Sequence, residues 1–226
     1  LVLTSPLESR GYVDLTLDVL NKFGVTVDPR ENGFHVPGGQ KYRAGDLAIE
    51  ADWSQAAFWY AANHLGGQVD IRGLDQSSRQ GDREVAAYCR KLARPGEVEL
   101  DVSQCPDLVP PLAAIAAVRA GTTRLTNAAR LRMKESDRLA SVTRALRAMG
   151  GQVEEHIDAL TIHGVERLPG GGAVDCANDH RIAMAAAIAA TACTGPVTVL
   201  GAQCVQKSYP DFWEVYKNLG GDIHVL

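Results

Sequence analysis

The 226-residue chain is long enough for one large domain or two small ones, and its 46% hydrophobic residues are ample for a packed core. Its 23 Lys and Arg residues against 27 Asp and Glu residues give a net charge of -4. This balance argues against intrinsic disorder and against recruitment to nucleic acid or anionic membrane by overall charge. The longest apolar run, around residues 182–193, falls short of the roughly 18–20 residues that a bilayer span needs.

Cysteine usage and the start of the chain bear on the compartment. The five cysteines form no C-x-x-C pair, which argues against a disulfide framework or a structural zinc site and favours a reducing compartment. No basic and apolar signal peptide opens the chain. We therefore expect a cytoplasmic location, although a plastid transit peptide would be lost with a missing N-terminal segment. The chain begins at Leu1 rather than at a methionine, which predicts a fragment of a longer protein.

The first predicted elements are a helix over Val13–Phe23 and a strand at Gly24–Val27. Three later segments then share one pattern, in which an Asp precedes an alanine-rich helix, a short β-branched strand follows, and Gly or Asn closes the segment. These segments are 52–73, 107–127 and 179–201, and amphipathic helices follow them at about 82–92, 135–149 and 212–219. Glycine pairs after the last two helices predict helix stops ahead of further strands.

This internal similarity predicts an α/β fold with a three-fold repeat of β-α-β-α-β-β units. The alanine-rich runs 182–193 and 112–118 are apolar all round, which is typical of buried helices. The strands Val69–Arg72 and Leu160–His163 alternate between apolar and polar residues, as strands with one wet face do. We therefore expect central helices and outward-facing sheets, with a loop at residues 168–173 and a domain seam near residues 48–51.

Acidic residues occupy the predicted helix starts. Asp52, Asp107 and Asp179 each precede an apolar helix, where an N-cap belongs, and capping alone would explain any one of them. Three equivalent helices should direct their N-termini to one place, however, and converging helix dipoles favour a phosphate or carboxylate ligand. The third copy continues with His180 and Arg181, so we expect one functional face.

Cations cluster at two other equivalent positions. The string Lys134-Glu-Ser-Asp-Arg138 leads into one helix, and Lys207-Ser-Tyr-Pro-Asp211 leads into the last one. Lys134 and Arg138 are four residues apart and can share a helix face, with Glu135 close to both. A solvated, salt-bridged helix start is the plainer interpretation of one such string. The equivalent places of the two strings in the repeat favour an anion site, because Arg fits the forked geometry of phosphate and carboxylate.

These strings resemble the motifs of the 5-enolpyruvylshikimate-3-phosphate synthase family. The resemblance lies in Lys134–Arg138, Asn178–Met184 and Lys207–Phe212, with support from Gln80–Asp82, Pro106–Asp107 and Ser9–Tyr12. It covers nearly the whole chain in family order. It implies two similar domains, each an inside-out α/β barrel of three β-α-β-α-β-β units. This chain would be the C-terminal half, with residues 1–48 closing the first domain and residues 49–226 forming most of the second.

The resemblance also implies a reaction. The family transfers the enolpyruvyl group of phosphoenolpyruvate to the 5-hydroxyl of shikimate 3-phosphate and releases phosphate, without a metal or organic cofactor. Such a transfer requires an acid, a base and cations for two phosphates and two carboxylates. By motif match, the catalytic residues are Glu135 as proton donor to C3, Asp107 as base at the 5-hydroxyl, and Lys134. The residues implied at phosphoenolpyruvate are Glu135, Arg138, His180, Arg181 and Lys207, and those implied at shikimate 3-phosphate are Ser9, Tyr12, Asp107, Arg130 and Lys134.

The chain departs from the family pattern in two ways. Several members have Asn where this chain has Arg130, whose guanidinium also suits a phosphate. The family's N-terminal substrate-binding motifs are not among these residues. The missing half is therefore the expected partner, and the chain alone is expected to be inactive. No nucleic acid or membrane partner is expected, and the whole enzyme is expected to be monomeric.

Two alternatives stay open on the sequence. The first is half of the enolpyruvyl transferase that acts on UDP-N-acetylglucosamine, whose catalytic cysteine belongs to the missing half, so cysteine content does not separate the two enzymes. The second is a non-catalytic half-protein that serves as a scaffold or ligand-binding module. The complete set of expected charged residues in this half argues against it.

Overall fold

Three alanine-rich helices pack against one another at the centre of the molecule. They are α2 (Trp53–His64), α4 (Val109–Ala116) and α6 (His180–Ala190), and each contacts the other two. The computed structural model describes residues 1–225. Every residue of α4 is buried, and the many alanines let the helix axes approach closely. The predicted central position of the apolar helices is confirmed.

The other elements surround this core. The helices are α1 (Arg10–Lys22), α3 (Val85–Leu92), α5 (Arg138–Ala148) and α7 (Phe212–Asn218), and the strands are β1 (Asp28–Arg30), β2 (Gly33–His35), β3 (Val98–Asp101), β4 (Thr122–Thr126), β5 (Gln152–Glu155), β6 (Leu160–His163), β7 (Ala173–Asp175) and β8 (Thr198–Leu200). Short 3-10 turns lie at Gly81–Glu84, Pro106–Leu108, Ala129–Met133 and Ala202–Lys207. Across residues 1–225, no helix combines the length and the apolar character that a membrane crossing needs.

The middle repeat forms a complete β-α-β-α-β-β unit. Its elements β3, α4, β4, α5, β5 and β6 follow one another along the chain, and its four strands form one sheet in the order β3-β4-β6-β5. β3 and β4 are parallel, whereas β6 is antiparallel to both β4 and β5. Leu160 and Ile162 are buried on the inner face, and Thr161 and His163 alternate with them on the wetter face. The sheet therefore lies outside the helices, as predicted.

The other two repeats form fewer strands than the middle one among the described residues. The third contributes the parallel pair β7 and β8 on either side of α6, and the first contributes helices α2 and α3. The strand predicted within 69–73 is wrong, because the side chain of Asn63 bonds both backbone groups of Val69, at 2.6 and 2.8 Å. The strand predicted at 24–27 is wrong for the same reason, since Gln40 bonds both backbone groups of Thr26. Residues 222–225 likewise form no strand after the last glycine pair.

Two of the three predicted N-caps are formed. Asp52 accepts hydrogen bonds from the amides of Ser54 and Gln55, and Asp179 accepts one from the amide of Arg181. The N-cap prediction for Asp107 is wrong. The amide of Val109 donates to the carbonyl of Pro106, and the next two residues are prolines, which have no amide hydrogen for a capping carboxylate to accept. The side chain of Asp107 is therefore available for other partners.

Candidate active site

The predicted site residues converge where the buried helices α4 and α6 begin. Asp107 lies in the 3-10 turn ahead of α4, and Asp179, His180 and Arg181 begin α6. The segment 134–138 lies beside these residues, since Lys134 and Arg138 both contact Asp107. The Asp137 side chain accepts a hydrogen bond from the amide of Ala140 and caps helix α5. Helix α5 consequently begins at Arg138 rather than near residue 135 as predicted. Lys134 and Arg138 therefore do not share a helix face, yet both reach Asp107.

Arg138 is the centre of this cluster. Its side chain is 1% exposed, and its guanidinium donates to the carboxylates of Asp179 at 2.7 Å, Asp107 at 2.7 Å and Glu135 at 2.5 Å. Each of its three nitrogens has a carboxylate partner. Direct contact of Arg138 with phosphoenolpyruvate stays a prediction. In this structure its donors hold carboxylates together, and an anion would have to compete with them.

Asp107 faces three cations. Its Oδ1 lies 2.7 Å from Arg138 and 3.2 Å from Lys134, and its Oδ2 lies 3.2 Å from Arg181. Burial acts to raise the pKa of Asp107, but Arg181, Arg138 and Lys134 together hold that pKa below its usual range. The carboxylate is therefore ionised at neutral pH and can accept a hydrogen bond from a hydroxyl group.

Glu135 connects the cluster to the last repeat. Its Oε1 accepts from Lys207 Nζ at 2.8 Å, across 72 residues of sequence, and its Oε2 accepts from Arg138. Partial burial acts to raise the pKa of Glu135, but the Lys207 hydrogen bond, a backbone amide and Arg138 lower it to about 2. Because the side chain is still 26% exposed, Glu135 is a charged group that a ligand can reach.

Asp179 and His180 are buried at the start of α6. Asp179 is 0% exposed, and besides Arg138 it accepts from the Ser136 hydroxyl at 3.0 Å. Burial lowers the pKa of His180, and nearby Arg181 lowers it further, so the imidazole is neutral at pH 7. His180 Nδ1 is buried and has no hydrogen-bond partner among the described residues.

The first residues of the chain reach the same region. The hydroxyl of Ser9 accepts from Arg130 at 3.0 Å, and Arg130 also lies 3.4 Å from Glu8. The hydroxyl of Tyr12 instead donates to Asp82 at 2.8 Å. The structure therefore brings Ser9 and Arg130 together and directs the Tyr12 hydroxyl toward the buried carboxyl group of Asp82, which is not among the predicted site residues.

A cavity of about 400 Å³ opens beside Glu135 and Lys207. It is lined by these two residues together with Asn178, Gln203, Cys204 and Gln206. A larger cavity of about 710 Å³ lies at the opposite ends of the buried helices, near residues 64–66, 118–120 and 191–193. None of the predicted site residues lines the larger cavity, whereas Glu135 and Lys207 place the smaller one at the edge of the charged cluster.

Two buried carboxyl groups of this region are not among the site residues that the sequence predicts. The sequence predicts Asp179 only as a helix cap, although its position inside the Asn178–Met184 string signals a further role. Asp82 belongs only to a supporting motif. Within residues 1–225, no group of three or more His, Cys, Asp or Glu side chains is arranged to hold a metal ion.

Comparisons with known proteins identify the family of the chain. Residues 1–216 match the family described as EPSP synthase (3-phosphoshikimate 1-carboxyvinyltransferase). The chain is 47% identical over 237 aligned residues to the 3-phosphoshikimate 1-carboxyvinyltransferase of Clostridium kluyveri, covering 98% of this chain and 55% of the relative. It is 44% identical to the corresponding protein of Clostridium acetobutylicum, with the same coverage.

Solved structures show the same fold. The EPSP synthase of Acinetobacter baumannii superimposes with a TM-score of 0.81 at 25% identity, covering 98% of this chain and 56% of that one. The enolpyruvyl transferase NikO of Streptomyces tendae has a TM-score of 0.69 at 18% identity, a likeness of fold alone. The chain thus spans about half the length of the proteins that it matches. With its buried helices, outward-facing sheet and cluster of motif residues, it belongs to the EPSP synthase family.

Proposed function

We propose that this chain is the C-terminal part of an enzyme that transfers the enolpyruvyl group of phosphoenolpyruvate to the 5-hydroxyl of shikimate 3-phosphate. The observation that carries the proposal is the convergence of four cations and three carboxylates at the N-termini of α4 and α6. The cations are Lys134, Arg138, Arg181 and Lys207, and the carboxylates are Asp107, Glu135 and Asp179. Helix N-termini and arginines are the protein groups best suited to phosphate and carboxylate ligands.

The net charge of the cluster indicates that this chain holds too few cations to bind both substrates. The two substrates bring two phosphates and two carboxylates, whereas the four cations here are already paired with three carboxylates. The cluster alone is therefore close to neutral. Further cations must come from the rest of the enzyme, which agrees with a chain that spans 55% of its relatives.

In the proposed mechanism, Glu135 and Asp107 transfer protons to and from the two substrates. Glu135 donates its proton to C3 of phosphoenolpyruvate as the 5-hydroxyl oxygen bonds to C2 and the hydroxyl proton passes to Asp107. A tetrahedral intermediate results. Glu135 then takes a proton back from C3, the C2–C3 double bond forms again, and the C2–O bond to phosphate breaks. Asp107 gives the hydroxyl proton to the departing phosphate, so both carboxyl groups return to their starting states.

Substrate binding has to protonate Glu135 before it can act. With its pKa near 2, the carboxylate is ionised when only Lys207 and Arg138 face it. A phosphate group that attracts Lys207 would weaken that pairing and bring negative charge close to Glu135, and both effects raise the pKa of a carboxyl group. Substrate binding is therefore expected to raise the pKa of Glu135 toward the range in which it can donate a proton.

The remaining residues divide between the two substrates. We assign Arg181, Lys207, Arg138 and His180 to the phosphoenolpyruvate side. We assign Lys134, Arg130, Ser9 and Tyr12 to shikimate 3-phosphate. We also propose that residues 1–48 complete the first domain and residues 49–226 form most of the second. Finally, we propose that the whole enzyme is a cytoplasmic monomer.

Replacing Arg181 by Ala is expected to weaken phosphoenolpyruvate binding by about 10–100-fold, the usual effect of losing a charge-assisted hydrogen bond. Shikimate 3-phosphate binding in the binary complex should change little. Arg181 is suited to this role because it lies in the first turn of α6 and its side chain is 12% exposed. Its guanidinium pairs with Asp107 at 3.2 Å. Titration calorimetry with each substrate measures both effects.

The protein for this measurement is an enzyme rebuilt by joining this chain to the part of the Clostridium kluyveri relative that it does not match. We call it the rebuilt enzyme. Arg144→Ala is the matched control, because Arg144 is exposed on α5 and bonds Ser141. Equal weakening of both substrates by Arg181→Ala would assign Arg181 a general structural role.

Product identification in the rebuilt enzyme tests the proposed function. Incubation with phosphoenolpyruvate and shikimate 3-phosphate should yield enolpyruvylshikimate 3-phosphate and inorganic phosphate in equal amounts. UDP-N-acetylglucosamine offered as acceptor should yield no product. Transfer to UDP-N-acetylglucosamine, or a folded rebuilt enzyme that transfers to neither acceptor, would contradict the proposal.

A further inference from the structure

Asp82 is a buried carboxyl group that the proposed mechanism does not use. It lies in the 3-10 turn Gly81–Glu84 and is 0% exposed. Its Oδ2 accepts hydrogen bonds from the hydroxyls of Tyr12, at 2.8 Å, and Ser54. Its Oδ1 has no hydrogen-bond partner within the described residues. Because burying a carboxyl group is costly, its contacts call for an explanation.

These contacts join three separate parts of the chain. Tyr12 belongs to the first turn of α1, and Ser54 to the first turn of α2. Asp82 therefore holds the start of α1 against the start of a central helix. The attachment spans 70 residues of sequence between Tyr12 and Asp82 and 28 residues between Ser54 and Asp82.

The first turn of α1 is seated closely on the Asp82 turn. A Cβ atom on Gly11 would collide with the carbonyl oxygen of Arg79, so only glycine permits this approach. The backbone amide of Arg10 donates to the side chain of Gln104 at 2.9 Å. These two contacts fix the backbone, and the bond to Asp82 fixes the direction of the Tyr12 side chain.

Burial raises the pKa of Asp82 above its usual range. The hydrogen bond from Ser54 acts against this shift, ionised Asp107 adds to it, and Arg181 and the hydrogen bond from Tyr12 oppose it. Burial and Asp82 also raise the pKa of Tyr12, which remains a hydrogen-bond donor.

We propose that Asp82 is a positioning residue that fixes the Tyr12 hydroxyl and thereby seats the first turn of α1 at the shikimate 3-phosphate side of the site. Ser9 immediately precedes α1 and accepts a hydrogen bond from Arg130. Fixing the first turn of α1 therefore also holds Ser9 next to Arg130. The identity of the ligand rests on the proposed function. The coupling between Asp82 and Tyr12 does not.

Binding of shikimate 3-phosphate to variants of the rebuilt enzyme tests the proposal. Asp82→Ala and Tyr12→Phe should each raise the dissociation constant about 10-fold, as expected for one lost buried hydrogen bond. The double variant should show about the same 10-fold loss, because the two residues act through one contact. Asp82→Asn keeps an acceptor for Tyr12 and should stay within about three-fold of the parent.

The kinetic readout separates positioning from general damage. The KM for shikimate 3-phosphate should rise with the dissociation constant, while kcat and the KM for phosphoenolpyruvate change less than about three-fold. Asp70→Ala is the control, because Asp70 is exposed and pairs with exposed Arg72. A loss of about 100-fold in the double variant, or no loss in Asp82→Ala, would overturn the proposal.

Hydrogen exchange of the α1 amides provides a measurement that needs no ligand. Asp82→Ala and Tyr12→Phe should each speed exchange of the Arg10 and Tyr12 amides, which donate to Gln104 and Ser9, about 10-fold in the rebuilt enzyme. If no variant and no parent binds shikimate 3-phosphate, the proposed function fails and the exchange rates still decide the coupling. If Asp82→Ala does not fold, Tyr12→Phe alone decides, and exchange within two-fold of the parent overturns the proposal.

Discussion

Glu135→Gln in the rebuilt enzyme is expected to lower kcat by about 10²–10⁴-fold, the usual contribution of a proton-transfer group. Gln keeps the size of the side chain and can still bond Lys207, but it cannot give a proton to C3 or take one back. The KM values for both substrates should change much less than kcat. Steady-state measurement of phosphate release, with each substrate varied in turn, gives these constants.

The matched control for this change is Glu155→Gln. Glu155 also pairs with an arginine, Arg132 at 2.9 Å, but it lies on β5 and outside the cluster. This control should keep kcat within about two-fold of the parent. A Glu135→Gln variant with near-parent kcat and a raised KM would show that Glu135 only binds substrate.

Arg138→Met should lower the free energy of unfolding by about 3–5 kcal/mol, because breaking a buried ion pair leaves an uncompensated charge. Asp179, which is 0% exposed, would lose its 2.7 Å partner, and Asp107 would lose one of its three cations. Met fills much of the space of the arginine side chain, so the loss reports the charge rather than a cavity. Urea unfolding of the rebuilt enzyme measures the difference.

An exposed ion pair is the control for Arg138. Arg10 pairs with Asp14 one helical turn away, at 2.9 Å, and its side chain is 54% exposed. Arg10→Met should lower the free energy of unfolding by less than about 1 kcal/mol. If Arg138→Met costs as little as Arg10→Met, the three carboxylates do not depend on Arg138 and the description of the cluster is wrong.

The buried helices are predictable because their apolar runs have no polar face to expose. The middle sheet is predictable because Leu160 and Ile162 alternate with polar residues and find partners within the same repeat. The strands expected within 24–27 and 69–73 follow the same pattern but depend on a neighbouring strand. Gln40 bonds the backbone of Thr26 and Asn63 bonds that of Val69 instead, and the alternation of apolar and polar residues does not predict these side-chain contacts.

The site is predictable as a set of residues but not as a geometry. Motif resemblance identifies Asp107, Glu135 and Arg138 without showing that Arg138 bonds both of the other two. The cap prediction treats Asp107 like Asp52, although the Val109 amide bonds the Pro106 carbonyl and the two prolines that follow have no amide hydrogen. The role of Asp82 depends on contacts over 28 and 70 residues of sequence, which only the folded chain reveals.

Under the proposed function, this chain forms one side of an enolpyruvyl transfer site that it shares with the rest of the enzyme. The direct measurement is phosphate release from phosphoenolpyruvate and shikimate 3-phosphate, first with the 226-residue chain alone. The separately produced remainder of the Clostridium kluyveri relative is then added. We expect the chain alone to fold at least partly and to show no turnover, because its cations are paired with its own carboxylates and water is not excluded. Turnover should appear only after mixing, and turnover by the chain alone would contradict the account.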